Sequence, residues 1–142
     1  GYDTAIDYKA GDVKAQIKEH CPGGVDVIFD NVGGSILDDM LANIATGARV
    51  VVCGGISRYE TGGHPSGPGN YFNLIFRRAS MAGFIVLDWA PEFPAIRKRL
   101  EGFVQDGKLT YQEDIQEGFE NAPATRKRLF TGQNRGKQML IV

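Results

Sequence analysis

Short apolar runs alternate with helical periods along this chain, and glycine clusters separate them. Ala5 and Ile6 sit in a short extended stretch. Gly11-Asp12 opens a helix in which Val13 and Ile17 share a face, and Pro22-Gly23-Gly24 stops it. Val25 to Phe29 is a β-branched run and predicts a buried strand. It breaks at Asp30-Asn31-Val32-Gly33-Gly34, after which Ser35 offers an N-cap hydroxyl. Ile36, Met40, Leu41 and Ile44 form one helical stripe, ended by Gly47. Ala48 to Cys53 predicts a second buried strand, and Gly54-Gly55 opens an irregular loop to about Gly69. A helix over Asn70 to Arg78 and a third apolar strand over Met81 to Leu87 follow. Phe93, Ile96, Leu100, Phe103 and Val104 then mark a helix stopped by Gly107. Leu109 to Gly118 reads as extended and half polar. Asn121-Ala122-Pro123 starts a last helix, which carries Leu129 and Phe130 near its end and stops at Gly132. Lys137 to Val142 closes the chain as a strand.

This alternation predicts an α/β fold with a mainly parallel sheet covered on both faces. Such sheets bind ligands outside the carboxyl ends of their strands. Two of the predicted strands end in glycine, at Gly33-Gly34 and at Gly54-Gly55. Glycine there either lets a ligand approach the backbone or only makes an ordinary tight turn. Two such turns on adjacent strands, with the long loop beside them, favour a binding crevice.

Composition narrows the function classes. Sixteen basic and 17 acidic residues leave a net charge of −1, a balance that gives no electrostatic footprint for nucleic acid. No apolar run approaches the roughly 20 residues of a membrane helix, so a cytoplasmic chain is expected. Two cysteines, Cys21 and Cys53, do not make a disulfide scaffold. His20, Cys21, Cys53 and His64 follow no recognised ligand spacing, and no metal is expected. No glycine fingerprint follows a first strand, as a complete dinucleotide fold requires. The chain begins Gly1-Tyr2-Asp3 without a methionine, so a processed product or a piece of something longer is expected.

Several strings together carry a resemblance. They are Ala5-Ile6-Asp7-Tyr8-Lys9, Phe29-Asp30-Asn31-Val32-Gly33-Gly34, Cys53-Gly54-Gly55-Ile56-Ser57-Arg58-Tyr59 and Met81-Ala82-Gly83-Phe84-Ile85-Val86. The tail adds Glu117-Gly118-Phe119-Glu120-Asn121-Ala122-Pro123 and Gly132-Gln133-Asn134-Arg135-Gly136-Lys137. The chain resembles the zinc-independent branch of the medium-chain dehydrogenases/reductases, in particular the NADP-dependent prostaglandin, 2-alkenal and curcumin-type double-bond reductases. The match runs from Tyr2 to Val142. It implies a partial Rossmann domain over 1–142 that lacks the first two strands and the glycine-rich phosphate loop. The GroES-like catalytic domain of the family would lie outside it.

The resemblance also implies roles for individual residues. Tyr8 matches a tyrosine beside the adenosine 2′-phosphate of NADP, and Asn31 an asparagine at the cofactor. Cys53, Gly54, Gly55, Ile56, Ser57, Arg58 and Tyr59 match the stretch lining the nicotinamide ribose. Phe84, Ile85 and Val86 match a stretch whose backbone meets the nicotinamide carboxamide, and Asn134 an asparagine that reaches the cofactor. Tyr59 matches a hydroxyl donor to the enolate oxygen that develops when hydride reaches the β-carbon of an enone or enal. A phenol can donate that bond without ionising. Cys53 reads more simply as a small buried apolar residue than as a nucleophile. The triplets Arg97-Lys98-Arg99 and Arg126-Lys127-Arg128 read as solvated helix faces. Family dimers pair their last Rossmann strands, so Met81 to Val86 is the expected homodimer edge. The partner otherwise implied is a small enone or enal, with neither nucleic acid nor membrane. The competing readings are a nucleotide- or partner-binding module without chemistry and a methyltransferase-like domain suggested by Asp30 at a strand end.

Overall fold

The computed structural model of the chain describes residues 2–59 and 67–142. The chain divides into two compact units, Gly1–Leu87 and Asp88–Val142.

In the first unit, helix α1 (Val13–His20) is capped by the Asp12 side chain, which accepts from the Ala15 N–H. Strand β1 (Val25–Asp30), helix α2 (Gly34–Ala42) and strand β2 (Ile44–Val52) follow. After a 3₁₀ turn at Ile56–Arg58 and another at Gly69–Phe72 come helix α3 (Asn73–Arg77) and strand β3 (Ser80–Gly83). The strands form one parallel sheet in the order β1-β2-β3. In the second unit, helix α4 (Phe93–Gln105) precedes strand β4 (Glu113–Glu117), helix α5 (Ala122–Thr131) and strand β5 (Lys137–Ile141). β4 and β5 pair in parallel. The α/β class with parallel sheets is thus as expected.

Several boundaries differ from expectation. The stretch at Ala5-Ile6 joins no sheet among the described residues. Helix α2 begins at Gly34, with Gly33 as its N-cap, and Ser35 lies inside it without capping. Ile44 belongs to β2 and not to α2, and Gly47 sits within that strand at φ +79°. Between Val25 and Val27 the β1–β2 register slips, because Val25 faces Ile44 while Val27 faces Arg49. The expected helix over Asn70 to Arg78 is a 3₁₀ turn joined to the short α3, closed by Arg78 at φ +51°.

The expected strand over Met81 to Leu87 is shorter. Its ladder stops at Gly83, whose partner Val52 is the last residue of β2. Ile85 and Val86 therefore lie beyond the strand, and Val86 starts a 3₁₀ turn. The expected loop from Gly54 to Gly69 falls partly on residues 60–66, outside the described residues, as does His64.

The core lies on one face of the sheet. Ile28, Leu37, Leu41, Ile44, Ala48 and Val50 are buried together, with Val25, Met40, Val52, Leu74 and Ala79 packed around them. Asn43 ties this layer together: its side-chain amide donates to the Lys14 and Asp39 carbonyls. Asn70 and Asn73 fasten the following turn to the Asp38 and Leu41 carbonyls. The opposite face differs. Val27 and Phe29 are 58% and 57% exposed, so β1 alternates between buried and bare positions. The prediction of a strand buried on both faces is corrected here: the helices α2 and α3 cover only one side of the sheet. Among the described residues β1 also has a single ladder neighbour, β2.

Candidate functional site

A parallel sheet brings equivalent ends of its strands to one level. Here Asp30 pairs with Val52, and Val52 with Gly83. Asn31, Cys53 and Phe84 each therefore lie one residue past the carboxyl end of a neighbouring strand. Three segments singled out from the sequence meet along one rim, where open parallel sheets present ligand sites. The Phe84 N–H continues the ladder by donating to the Val52 carbonyl (2.9 Å). Its ring meets Phe29 edge-on, with centroids 5.8 Å apart.

The first two of these segments are bonded to each other. The Asp30 carbonyl accepts from the Cys53 and Gly54 N–H groups (2.8 and 3.2 Å). The Asn31 carbonyl accepts from the Ile56 N–H (3.1 Å). The Val32 carbonyl accepts from both the Ser57 N–H (3.1 Å) and the Ser57 hydroxyl (2.6 Å). Beneath them the buried Asp30 carboxylate accepts from the Val32 N–H through Oδ1 (3.0 Å). It also accepts from the Gly33 N–H through Oδ1 and Oδ2 (3.1 and 3.0 Å).

The glycines here serve this packing. A Cβ on Gly34 would stand 3.1 Å from the Ser57 Oγ, and one on Gly54 would stand 3.1 Å from the Asn31 carbonyl oxygen. Gly33 and Gly34 also take φ of +70° and +59°, which side chains rarely adopt. The tight-turn reading therefore accounts for them without a ligand. Asp30 was noticed in the sequence only as a strand end; the signal that could have found it is an aspartate two residues before the amides of a Val-Gly-Gly turn.

Ile56 and Tyr59 project outward, 57% and 75% exposed. The Tyr59 N–H closes the 3₁₀ turn on the Ile56 carbonyl (3.0 Å). Arg58 reaches over Gly55, where an added Cβ would meet its Cδ at 3.1 Å. Cys53 is a half-buried free thiol. Tyr8 stands apart on the exposed turn before α1, with Lys9 Nζ 5.6 Å from its ring centroid. Asn134 belongs to the second unit, where its side-chain amide donates to the Gly136 carbonyl (3.0 Å).

The second unit holds a polar cluster that the sequence did not reveal. Arg128 Nη2 lies 2.8 Å from Asp114 Oδ2, and its Nε donates to Gln138. The Arg135 backbone N–H donates to the same carboxylate, and so does the Gln116 side chain. The Arg135 N–H first, and then the Arg128 guanidinium, hold the Asp114 carboxyl at about 2, below its ordinary 3.8. Arg128 is thus not a solvated face residue, which corrects the reading of its triplet. Arg97, Lys98 and Arg99 are exposed as expected.

Among the described residues, no group of three or more His, Cys, Asp and Glu side chains could hold a metal ion. Among them, too, no helix is long and apolar enough to cross a membrane.

Comparison with known proteins adds to this geometry. The family model described as zinc-binding dehydrogenase matches residues 1–102. The chain is 39% identical over 143 residues to the NADP⁺-dependent 2-alkenal reductase of Nicotiana tabacum, covering all of this chain and 41% of that protein. It is 37% identical to (+)-pulegone reductase of Mentha piperita, covering 42% of it. The crystal structure of CurA from Vibrio vulnificus in complex with NADPH superposes with a TM-score of 0.85 at 33% identity. That match covers 99% of this chain and 43% of CurA. The chain thus spans less than half the length of these relatives.

Proposed function

Since the chain belongs to the zinc-binding dehydrogenase family, we propose that it is the nucleotide-binding part of an NADPH-dependent reductase acting on the C=C bond of α,β-unsaturated carbonyls. The whole of 1–142 would serve as the later part of a Rossmann domain. The observation that carries the proposal is the shared level of Asn31, Cys53 and Phe84 past three parallel strand ends. The NADPH-bound relative and the two plant reductases support the cofactor and the substrate class.

NADPH supplies a hydride when bound. In this reading Asn31 meets the cofactor, and the backbone of Cys53 to Arg58 with Phe84, Ile85 and Val86 lines its nicotinamide half. Tyr8 and Asn134 take the roles that the resemblance gives them. Hydride added at the β-carbon would shift the C=C π pair into a double bond between the α-carbon and the carbonyl carbon and the C=O π pair onto oxygen, giving an enolate. Tyr59 then donates a hydrogen bond to that oxygen, and a proton added at the α-carbon completes the reduced product. The exposed phenol at the end of the Ile56–Arg58 turn suits a donor that must meet a substrate. The protein is proposed to work in the cytoplasm, and to dimerise along β3, which is an edge strand over Ser80–Gly83 and not over Met81 to Val86.

The test is Tyr59→Phe in the whole protein. Enone reduction should slow by about 10²-fold in kcat, with the KM for NADPH retained. Unchanged kcat and KM across several enones would remove Tyr59 from the mechanism.

A further inference from the structure

We propose that the Asp30 carboxylate and the Ser57 hydroxyl are positioning residues that clasp two strand-end loops into one preorganised cofactor platform. This rests on the NADPH-binding reading above. Neither group needs to touch the cofactor. Asp30 is 6% exposed, and its carboxylate is already spent on the Val32 and Gly33 N–H groups. Those bonds fix the Asn31–Gly33 turn, so that the Asn31 and Val32 carbonyls point at the second loop and accept from Ile56 and Ser57. The Ser57 hydroxyl adds the shortest of these contacts, 2.6 Å to the Val32 carbonyl.

The clasp therefore begins at a buried acid on β1 and ends two residues before Tyr59. Without it, the two loops populate open arrangements, and NADPH must select the closed one. Apparent affinity then falls by the fraction of molecules that are closed. Turnover at saturation is spared, because the bound state is the same.

Asp30→Asn replaces one acceptor oxygen with an amide that faces the Gly33 N–H. In the whole protein it should raise the NADPH Kd about tenfold, and the KM for NADPH with it, while kcat stays within about twofold. Without NADPH, deuterium uptake should rise together over residues 31–34 and 53–57. Ser57→Ala keeps the backbone bond and should raise the Kd about fivefold; if Asp30→Asn does not fold, the joint rise of deuterium uptake over 31–34 and 53–57 in unliganded Ser57→Ala carries the test, with no claim on its turnover. A purely structural role would lower the melting temperature and leave the Kd of the folded protein unchanged. An unchanged Kd, or faster exchange confined to 31–34, overturns the clasp. Absence of NADPH binding by the unaltered protein instead overturns the reading on which the clasp depends, and the clasp with it.

Discussion

Gly23 and Gly24 are adjacent and look equivalent in the sequence, yet the fold treats them differently. Gly24 has φ +90°, and a Cβ on it would lie 2.7 Å from the Ala45 N and 2.8 Å from the Ala45 Cα. Both are backbone atoms of β2 and cannot swing aside. A Cβ on Gly23 would meet nothing within 4 Å. We predict that Gly24→Ala costs roughly 1–2 kcal/mol in backbone strain and about 1–3 kcal/mol more in displaced packing. The total of about 2–5 kcal/mol is a large part of a marginal stability. For a unit of this size it corresponds to a fall in Tm of at least about 10 °C. Gly23→Ala should be neutral or gain up to about 1 kcal/mol, because alanine restricts the unfolded chain. Thermal unfolding followed by circular dichroism measures both. A Tm within about 2 °C of the unaltered protein for Gly24→Ala would refute the argument, as would equal losses at the two sites. Gly24 abuts the β2 segment where the register slips from Val25–Ile44 to Val27–Arg49, at the end of these strands opposite the rim.

Other outcomes follow from the core and from the second unit. Leu41 is fully buried at the centre of the cluster, so Leu41→Ala should cost about 3–4 kcal/mol in urea unfolding, whereas Ile75→Ala, at a 65% exposed site, should change stability by less than about 0.5 kcal/mol; similar losses at both would refute the assignment of the core. Asp114 has a depressed folded-state pKa, so its contribution to stability is complete above its ordinary 3.8 and is lost as pH falls toward about 2. Asp114→Asn should flatten that acid limb in pH-dependent unfolding. Arg128→Ala should move the Asp114 carboxyl upward in an NMR titration, and an unmoved resonance would show that the ion pair does not set it.

Much of the fold was legible because strand runs and helical stripes differ in period. The helices near Val13, Gly34, Phe93 and Ala122, and the strands at Val25, Val50, Met81 and Lys137, all exist. What failed had tertiary causes. Ile44 continues the stripe of Ile36, Met40 and Leu41, and only the proximity of β1 turns it into a strand residue. Ile85 and Val86 continue an apolar run, but β2 has ended by then and offers no ladder beyond the bond from the Phe84 N–H to the Val52 carbonyl. Val27 and Phe29 are as apolar as Ile28; their exposure depends on which side the helices pack. Arg128 finds Asp114 on a strand that the sequence does not place beside it. At the rim, the strings carrying Asn31 and Cys53 to Tyr59 were visible as motifs. Their hydrogen bonding to each other was not, since it depends on register.

Every ladder in the described residues is parallel, and this bears on how the chain reaches its fold. Val25 must find Ile44, Arg49 must find Ser80, and Glu113 must find Lys137, each across an intervening helix. Among the described residues no hairpin is available to nucleate a sheet locally. Loop closure must come before any ladder bond forms, which slows folding and lengthens the exposure of unpaired strands. The helical segments between the strands, α2 above all, must therefore collapse early enough to hold distant strands in reach, so the order of events in folding is set by the connections more than by the sheet.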